Sequence, residues 1–234
     1  MKAIILAGGL GTRMGEETYL KPKPMIEIGG KPIIWHIMKV YSCYNIDEFV
    51  ICSGYKGDVI ENYFKENEES WKINVVDTGL ETNTGGRLKR VQKFVEKNSF
   101  CFTYGDSLNN VNIQKLIEFH QKKGKLATVT TSHPPEKYGV FGLNGDNVMS
   151  FEEKPDRKDE WVNAGFFVLE PEIFDFIEGD YTVWEEEPMK EIIKKNQMVA
   201  YKHEDFYQSM DTSKDQKILE DLWNKNKAKW KIWK

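Results

Sequence analysis

The chain has 234 residues, 40% hydrophobic and 13% aromatic, enough for one sizeable core, and its 33 basic against 37 acidic side chains give a formal charge of −4. That balance excludes the broad positive field that draws a protein onto nucleic acid or an anionic membrane, so any anion site has to be local. Cys43, Cys52 and Cys101 form no CxxC pair and leave an odd thiol, which suits a reducing, cytoplasmic setting, and no apolar run approaches the roughly 18 residues of a membrane span.

The first predicted element is a buried strand over "KAIILA" (2–7), which runs into a glycine turn. Gly8, Gly9 and Gly11 let the chain turn sharply and bring bare backbone N–H groups close to an anion. The dinucleotide fingerprint is disfavoured because Met14 stands where its third glycine belongs. A Walker A loop is disfavoured too, since Gly30-Lys31 is followed by Pro32 and Gly124-Lys125 by Leu126, neither of them the Ser or Thr that the loop needs. A dinucleotide-dependent oxidoreductase is correspondingly weakened. Fixed cations take over instead: Arg13 offers a planar fork, and Lys21 and Lys23 sit in "KPKP", whose prolines restrict the backbone that carries them. A triphosphate or pyrophosphate fits such a loop.

Downstream, apolar runs over 48–53, 73–78, 99–106 and 126–132 alternate with amphipathic helical patterns over Trp35–Tyr44, Asp58–Glu66 and Ile113–Lys123. This is the pattern of βαβ units around a mainly parallel sheet, whose ligands bind at the carboxyl ends of the strands. Within "DTGLETNTGGRLKR" (77–90), Gly85 and Gly86 allow close approach to a flat ring and Arg87 can donate hydrogen bonds, while Lys89 and Arg90 read as a solvated helix face. "YGD" puts Asp106 at the end of an apolar strand, and "MDT" puts Asp211 after the aromatic "DFYQ". Past residue 126 the pattern changes. "YGVFGLNGDNVMSFEEKP" (138–155) reads as short strands with hairpin turns and "VNAGFFVLEP" (162–171) as a further strand, together an antiparallel patch laid over the first half.

Glu185–Glu187 form an acidic cluster with no assigned role, and His36 and His133 read as packing and turn residues. The C-terminal "LEDLWNKNKAKWKIWK" reads as a helix with a basic end rather than a nucleic-acid stripe. No Ser/His/Asp or Cys/His constellation is present, so no covalent nucleophile is expected.

"LAGGLGTRM…KPKPM", "TGGRLKR", "FTYGDS", "EEKP", "VNAGFFVL" and "QSMDTSKD" together resemble the sugar-1-phosphate nucleotidylyltransferases, most closely the glucose-1-phosphate cytidylyltransferases, over essentially the whole chain. The resemblance implies an α/β, Rossmann-like nucleotidyltransferase core: a mixed, mainly parallel sheet flanked by helices, with a small antiparallel acceptor-binding patch. It implies one domain over 1–234, with 1–125 mainly nucleotide-binding and 126–234 mainly acceptor-binding. The reaction implied joins CTP to a phosphorylated acceptor, glucose 1-phosphate first, and releases pyrophosphate in the service of surface polysaccharide synthesis. A non-sugar phosphate such as phosphoglutamine, in a capsule pathway, is the alternative acceptor. A catalytically silent nucleotide-sensing subunit is the third reading, disfavoured because Arg13, Lys23, Asp106 and Asp211 are all retained.

Carried onto this chain, the resemblance gives Arg13 the leaving pyrophosphate and Lys23 the α-phosphate or acceptor phosphate. It has Leu6, Ala7, Gly8, Gly9, Gly11, Thr12, Thr84, Gly85, Arg87 and Asp106 line the nucleotide, with Arg87 donating to the O2 and N3 acceptors of cytosine. Tyr138, Gly139, Glu153, Lys154, Asn163 and Gly165 match acceptor-binding positions. Asp106 and Asp211, two carboxylates from distant segments, together with substrate phosphates are a donor set suited to Mg2+. Assembly into a homo-oligomer is a further, weaker implication.

Two departures stand out. Only eleven residues join Tyr63-Phe64 to Val76-Asp77, where the cytidylyltransferases carry an insertion, and the strand end reads "GDSLNN" rather than "GDG" followed by another aspartate.

Overall fold

The computed structural model describes residues 1–15, 17–134, 140–144, 146–152 and 160–233. Its strands are β1 (Lys2–Leu6), β2 (Glu27–Ile28), β3 (Lys31–Pro32), β4 (Glu48–Ser53), β5 (Lys72–Asp77), β6 (Phe100–Tyr104), β7 (Ser107–Asn109), β8 (Ala127–Ser132), β9 (Val140–Asn144), β10 (Asn147–Glu152), β11 (Val162–Leu169), β12 (Met198–Lys202) and β13 (Tyr207–Ser209). The helices are α1 (Glu17–Leu20), α2 (Ile33–Ser42), α3 (Gly57–Glu66), α4 (Thr84–Arg90), α5 (Ile113–Lys123), α6 (Glu187–Lys194) and α7 (Ser213–Asn224).

A seven-stranded sheet runs in the order β12-β8-β11-β6-β1-β4-β5. β1 pairs in parallel with β4 and β6, β4 with β5, and β8 with β12, whereas β11 is antiparallel to both β6 and β8. β1 and β4 carry near-continuous apolar runs because both their faces are covered. One face packs Ile5, Ile37, Met38, Phe49, Ile51 and Leu219 among others; the opposite face packs Ile4, Val50, Leu88, Phe102, Phe167 and Trp184.

The sequence reading placed 162–171 in an antiparallel patch over the first half, and here the structure corrects it. β11 lies inside the main sheet, between β6 and β8, and knits the two halves of the chain into one layer. Its residues Phe166–Leu169 are fully buried, as a central strand covered on both faces requires. The smaller antiparallel pairs are β9 with β10, β7 with β13, and β2 with β3.

The C-terminal aromatics are core rather than surface. Trp230 is fully buried, its indole N–H donates to His36 Nδ1 at 3.4 Å, and His36 Nε2 meets the Ile28 carbonyl at 2.8 Å. His36 is thus a packing residue held neutral: burial pushes its pKa down to about 4. His133 contacts the Trp161 ring at 4.2 Å between centroids, and its Nδ1 lies 3.0 Å from the Glu160 carbonyl.

Candidate active site

The parallel strands β1, β4, β5 and β6 end on the same side of the sheet, and the loops that follow β1, β5 and β6 build one cavity of about 530 Å³. Leu6, Ala7, Gly8, Gly9, Gly11, Thr12, Arg13, Lys23, Thr84, Arg87 and Asp106 all line it, together with Leu80–Asn83, Tyr104 and Gly105. The glycine loop is shaped by close approach. Gly8 must lack a side chain because a Cβ there would fall 2.0 Å from the Arg87 guanidinium, and Gly11, at φ +65°, sits where a Cβ would fall 2.9 Å from that of Lys23. Among the described residues no hydrogen-bond acceptor takes the amides of Gly9, Leu10, Gly11 and Thr12, so they remain available to an anion.

The carboxylates are brought together by pairing that no sequence pattern announces. Asp106 follows β6 and precedes β7; Asp211 follows β13; Ser107 pairs with Ser209, and the Met210 amide donates to the Asp106 carbonyl at 2.9 Å. This two-stranded ribbon carries both side chains to one point. The Lys23 ammonium donates to Asp106 Oδ2 at 2.7 Å and to Asp211 Oδ1 at 3.0 Å, and Arg13 reaches the same Asp211 oxygen at 3.3 Å. Burial works to raise the Asp211 pKa, but Lys23, Ser209 and Arg13 together hold it below the ordinary carboxylate value. Tyr207 beside them is pushed up to about 12, by burial first and then by the charges of Asp106 and Asp211.

Asp211 is also fixed from behind. Thr212 caps α7, its side chain accepting from the Asp215 amide, while the Asp215 carboxylate accepts from the Thr212 and Asp211 amides at 2.9 and 3.2 Å. This capping box sets the direction in which the chain leaves Asp211. At its far end α7 packs on the β2–β3 turn, where Glu220 accepts from the Gly29 amide at 2.8 Å; only Ile26 and β2 separate that turn from Lys23–Met25.

Arg87, expected to read the base, lines the cavity and is buried, with 4% of its surface exposed. Its guanidinium donates to the carbonyls of Ser53 (3.1 Å), Gly79 (2.7 Å) and Leu80 (3.1 Å) and to Thr78 Oγ1 (2.8 Å). It therefore moulds the 78–82 loop that forms the cavity wall. Burial lowers the Arg87 pKa, yet a guanidinium stays charged. Gly85, expected at the nucleotide, packs instead on Thr182, where a Cβ would fall 2.8 Å from the Thr182 carbonyl. Lys89 and Arg90 are anchored rather than free, on the Phe174 carbonyl at 2.6 Å and on Asp180 at 2.8 Å through Nε.

On the acceptor side, Tyr138, Gly139, Glu153 and Lys154 lie outside the described residues. Asn163 and Gly165 lie on a bulge of β11, where the register slips between Asn163 and Phe167 and both Gly165 and Phe166 take positive φ. Asn163 Oδ1 accepts from the Gly165 amide at 2.8 Å, and its Nδ2 donates to the Tyr104 hydroxyl at 3.3 Å. Tyr104 in turn donates to Glu185, which also accepts from Thr84 Oγ1 at 2.7 Å. Burial, then Glu185, raises the Tyr104 pKa well above 10. Glu185 was unassigned in the sequence; its contacts link the nucleotide-side Thr84 to the acceptor-side Asn163, and only tertiary pairing reveals this.

The Nucleotidyl transferase family pattern matches residues 2–231, almost the whole chain and every position of this site. The chain belongs to the nucleotidyl transferase family. It is 47% identical over 256 aligned residues to a glucose-1-phosphate cytidylyltransferase of Salmonella typhimurium, covering all of both chains. It is 39% identical over 255 residues, again end to end, to a probable glucose-1-phosphate cytidylyltransferase of Bacillus subtilis. Among solved structures, HddC from Yersinia pseudotuberculosis superposes with a TM-score of 0.76 at 22% identity, covering 95% of this nucleotidyl transferase and 99% of HddC. A UDP-glucose pyrophosphorylase complexed with UDP-glucose superposes at 0.75 with 18% identity, over 96% and 98% of the two chains. These two establish the fold.

Proposed function

We propose that the protein is a CTP-dependent glucose-1-phosphate cytidylyltransferase, which transfers CMP to the sugar phosphate and releases pyrophosphate. The observation that carries this reading is the end-to-end 47% identity to a cytidylyltransferase of that name, combined with a site of unpartnered loop amides and two cations. The same chemistry on phosphoglutamine is not favoured.

In-line attack of an acceptor phosphate oxygen on the α-phosphorus spreads negative charge over oxygens that repel the incoming anion. The Gly9–Thr12 amides would take phosphate oxygens, Arg13 the leaving pyrophosphate, and Lys23 the charge shared between α-phosphate and acceptor. The wall moulded by Arg87, with Thr84, would hold the nucleoside, and Asn163 and Gly165 would face the sugar. Asp106 and Asp211 would hold Mg2+. Their fit rests on chemistry and position: both are hard oxygen donors, and one oxygen of each already converges on a single cationic atom within 3.0 Å. When bound, such an ion supplies Lewis-acid neutralisation of the phosphates. We assign the work to a cytoplasmic setting and its product to surface polysaccharide synthesis; no helix among the described residues is long and apolar enough to cross a membrane.

The test is direct. The protein is incubated with Mg2+, each nucleoside triphosphate in turn and a panel of phosphorylated acceptors that includes glucose 1-phosphate and phosphoglutamine, and pyrophosphate release is followed. Release fastest with CTP and glucose 1-phosphate is expected. Release that prefers another nucleotide or another acceptor overturns the reading.

A further inference from the structure

Two carboxylates and two cations share one small volume beneath the glycine loop, and their charges sum to zero. Asp106 and Asp211 do not face an open gap: the Lys23 ammonium stands between them, 2.7 Å from one and 3.0 Å from the other, on a side chain only 10% exposed. Arg13 adds its own contact to the Asp211 oxygen that Lys23 already holds, 3.3 Å away, from a side chain 74% exposed. A divalent ion that takes those same two oxygens as ligands would have to compete with the ammonium that already holds both. Two cations drawing on the same pair of oxygens repel each other at close range.

We propose that Lys23 is the resident counter-cation of the carboxylate pair, and that the pair opens to a divalent ion only when an anionic ligand draws Lys23 and Arg13 away. Only the identity of that ligand as a triphosphate rests on the proposed function. The geometry supplies the route. The Lys23 stem is pinned by its prolines and by contact with Gly11, so only the flexible end of the side chain has to swing. Lys23 lines the same cavity as the loop amides, so rotation about one stem takes the ammonium from the carboxylates to a phosphate seated on those amides. Arg13, mostly in solvent, follows at little cost in desolvation. The swap lets the internal cations balance the carboxylates before the ligand arrives, and lets the same cations offset phosphate charge once a metal has taken their place. It also keeps free divalent ions out of a site that has no substrate to act on.

The experiment uses Mn2+ alone as probe, with no nucleotide, on the full chain. Binding is followed by calorimetry and by the loss of the free-ion electron paramagnetic signal, for wild type, Lys23→Met, Lys23→Gln, Arg13→Gln and the double variant Lys23→Met/Asp211→Asn. Removing the ammonium should tighten Mn2+ at this pair by at least about tenfold, given the strength of a close charge contact shielded from water. Arg13→Gln should give a smaller gain, since its charge is screened. The gain should vanish in the double variant, which locates it at this pair. Lys23→Gln keeps a neutral polar side chain and reports the same effect if the methionine variant does not fold. Equal Mn2+ affinity in wild type and both Lys23 variants overturns the proposal, as does a gain that survives Asp211→Asn. Because no nucleotide is present, this outcome is independent of the pyrophosphate-release assay. A protein that prefers another nucleotide leaves the Mn2+ result standing, and a working cytidylyltransferase with unchanged Mn2+ affinity sinks the counter-cation alone.

Discussion

Arg87→Ala separates a scaffold from a base reader. In the structure the guanidinium is the donor to the Gly79 and Leu80 carbonyls, whereas the Ser53 carbonyl keeps two other donors, the Thr78 amide at 2.9 Å and the Thr78 hydroxyl at 2.6 Å. Truncation therefore orphans two part-buried carbonyls at about 1–3 kcal/mol each. Release of the guanidinium from its own desolvation cost, and water entering from the cavity, offset part of this. A net loss of about 2–3 kcal/mol is expected, which lowers the melting temperature by about 4–12 °C in a chain of this size. The loop loses its shape for any nucleoside, so kcat/KM should fall for CTP and UTP together, mainly through KM, with their ratio changing less than about threefold. Arg87→Lys should not restore the loop, because one ammonium cannot span acceptors on both sides of a planar fork. The assays are thermal unfolding followed by initial rates with each nucleotide. A variant that melts with wild type but loses its CTP advantage by about tenfold or more would refute the scaffold argument, and would return Arg87 to the cytosine edge where the sequence alone had put it.

Lys23→Ala should lower turnover by at least about a hundredfold with the fold intact, since a fixed cation at developing phosphoryl charge contributes on the order of 3 kcal/mol; near-normal turnover would remove Lys23 from the chemistry. Asp106→Asn and Asp211→Asn should each raise the Mg2+ concentration needed for half-maximal rate, and unchanged titrations in both would move the metal elsewhere. His36 predicts an acid-labile fold. Its folded pKa of about 4 lies below the unfolded 6.5, so the unfolded chain binds the extra proton and stability falls as pH drops from 6.5 towards 4, by at most about 3 kcal/mol. Denaturant midpoints at pH 7 and pH 4.5 check this, and His36→Gln should show the smaller drop; equal drops would place the acid sensitivity in other groups.

What could be read from the sequence was what depends on neighbours along the chain. The strand over 48–53 and the helix over 113–123 fall at the boundaries expected, because apolar runs and helical periodicity are local signals. The glycine loop, Arg13 and Lys23 were legible for the same reason: they lie within one short segment whose chemistry is readable in isolation. What the sequence did not reveal depends on pairing across the chain. β11 reads as a strand but carries no mark of the two neighbours it joins, and its insertion between β6 and β8 follows only from a sheet that closes around it.

The candidate site residues divide along the same line. Asp106 and Asp211 were each visible as a carboxylate after an apolar segment, yet their meeting is the work of three residue pairs between β7 and β13, separated by about a hundred positions. A lone surface aspartate and one that converges with another on a shared cation look alike until that ribbon is drawn. Arg87 shows the same limit: an arginine beside two glycines looks like a hand held out to a ligand, and the four protein acceptors it also holds come from the end of β4 and the loop after β5. Glu185 was passed over because one glutamate among three has no distinguishing pattern; only its contacts with Tyr104 and Thr84 separate it from its neighbours. Charge in this site is therefore assigned by partners rather than by residue type. Lys23 is the sharpest instance, since the cation the sequence offered to phosphate is held in the structure by the two carboxylates the sequence offered to a metal.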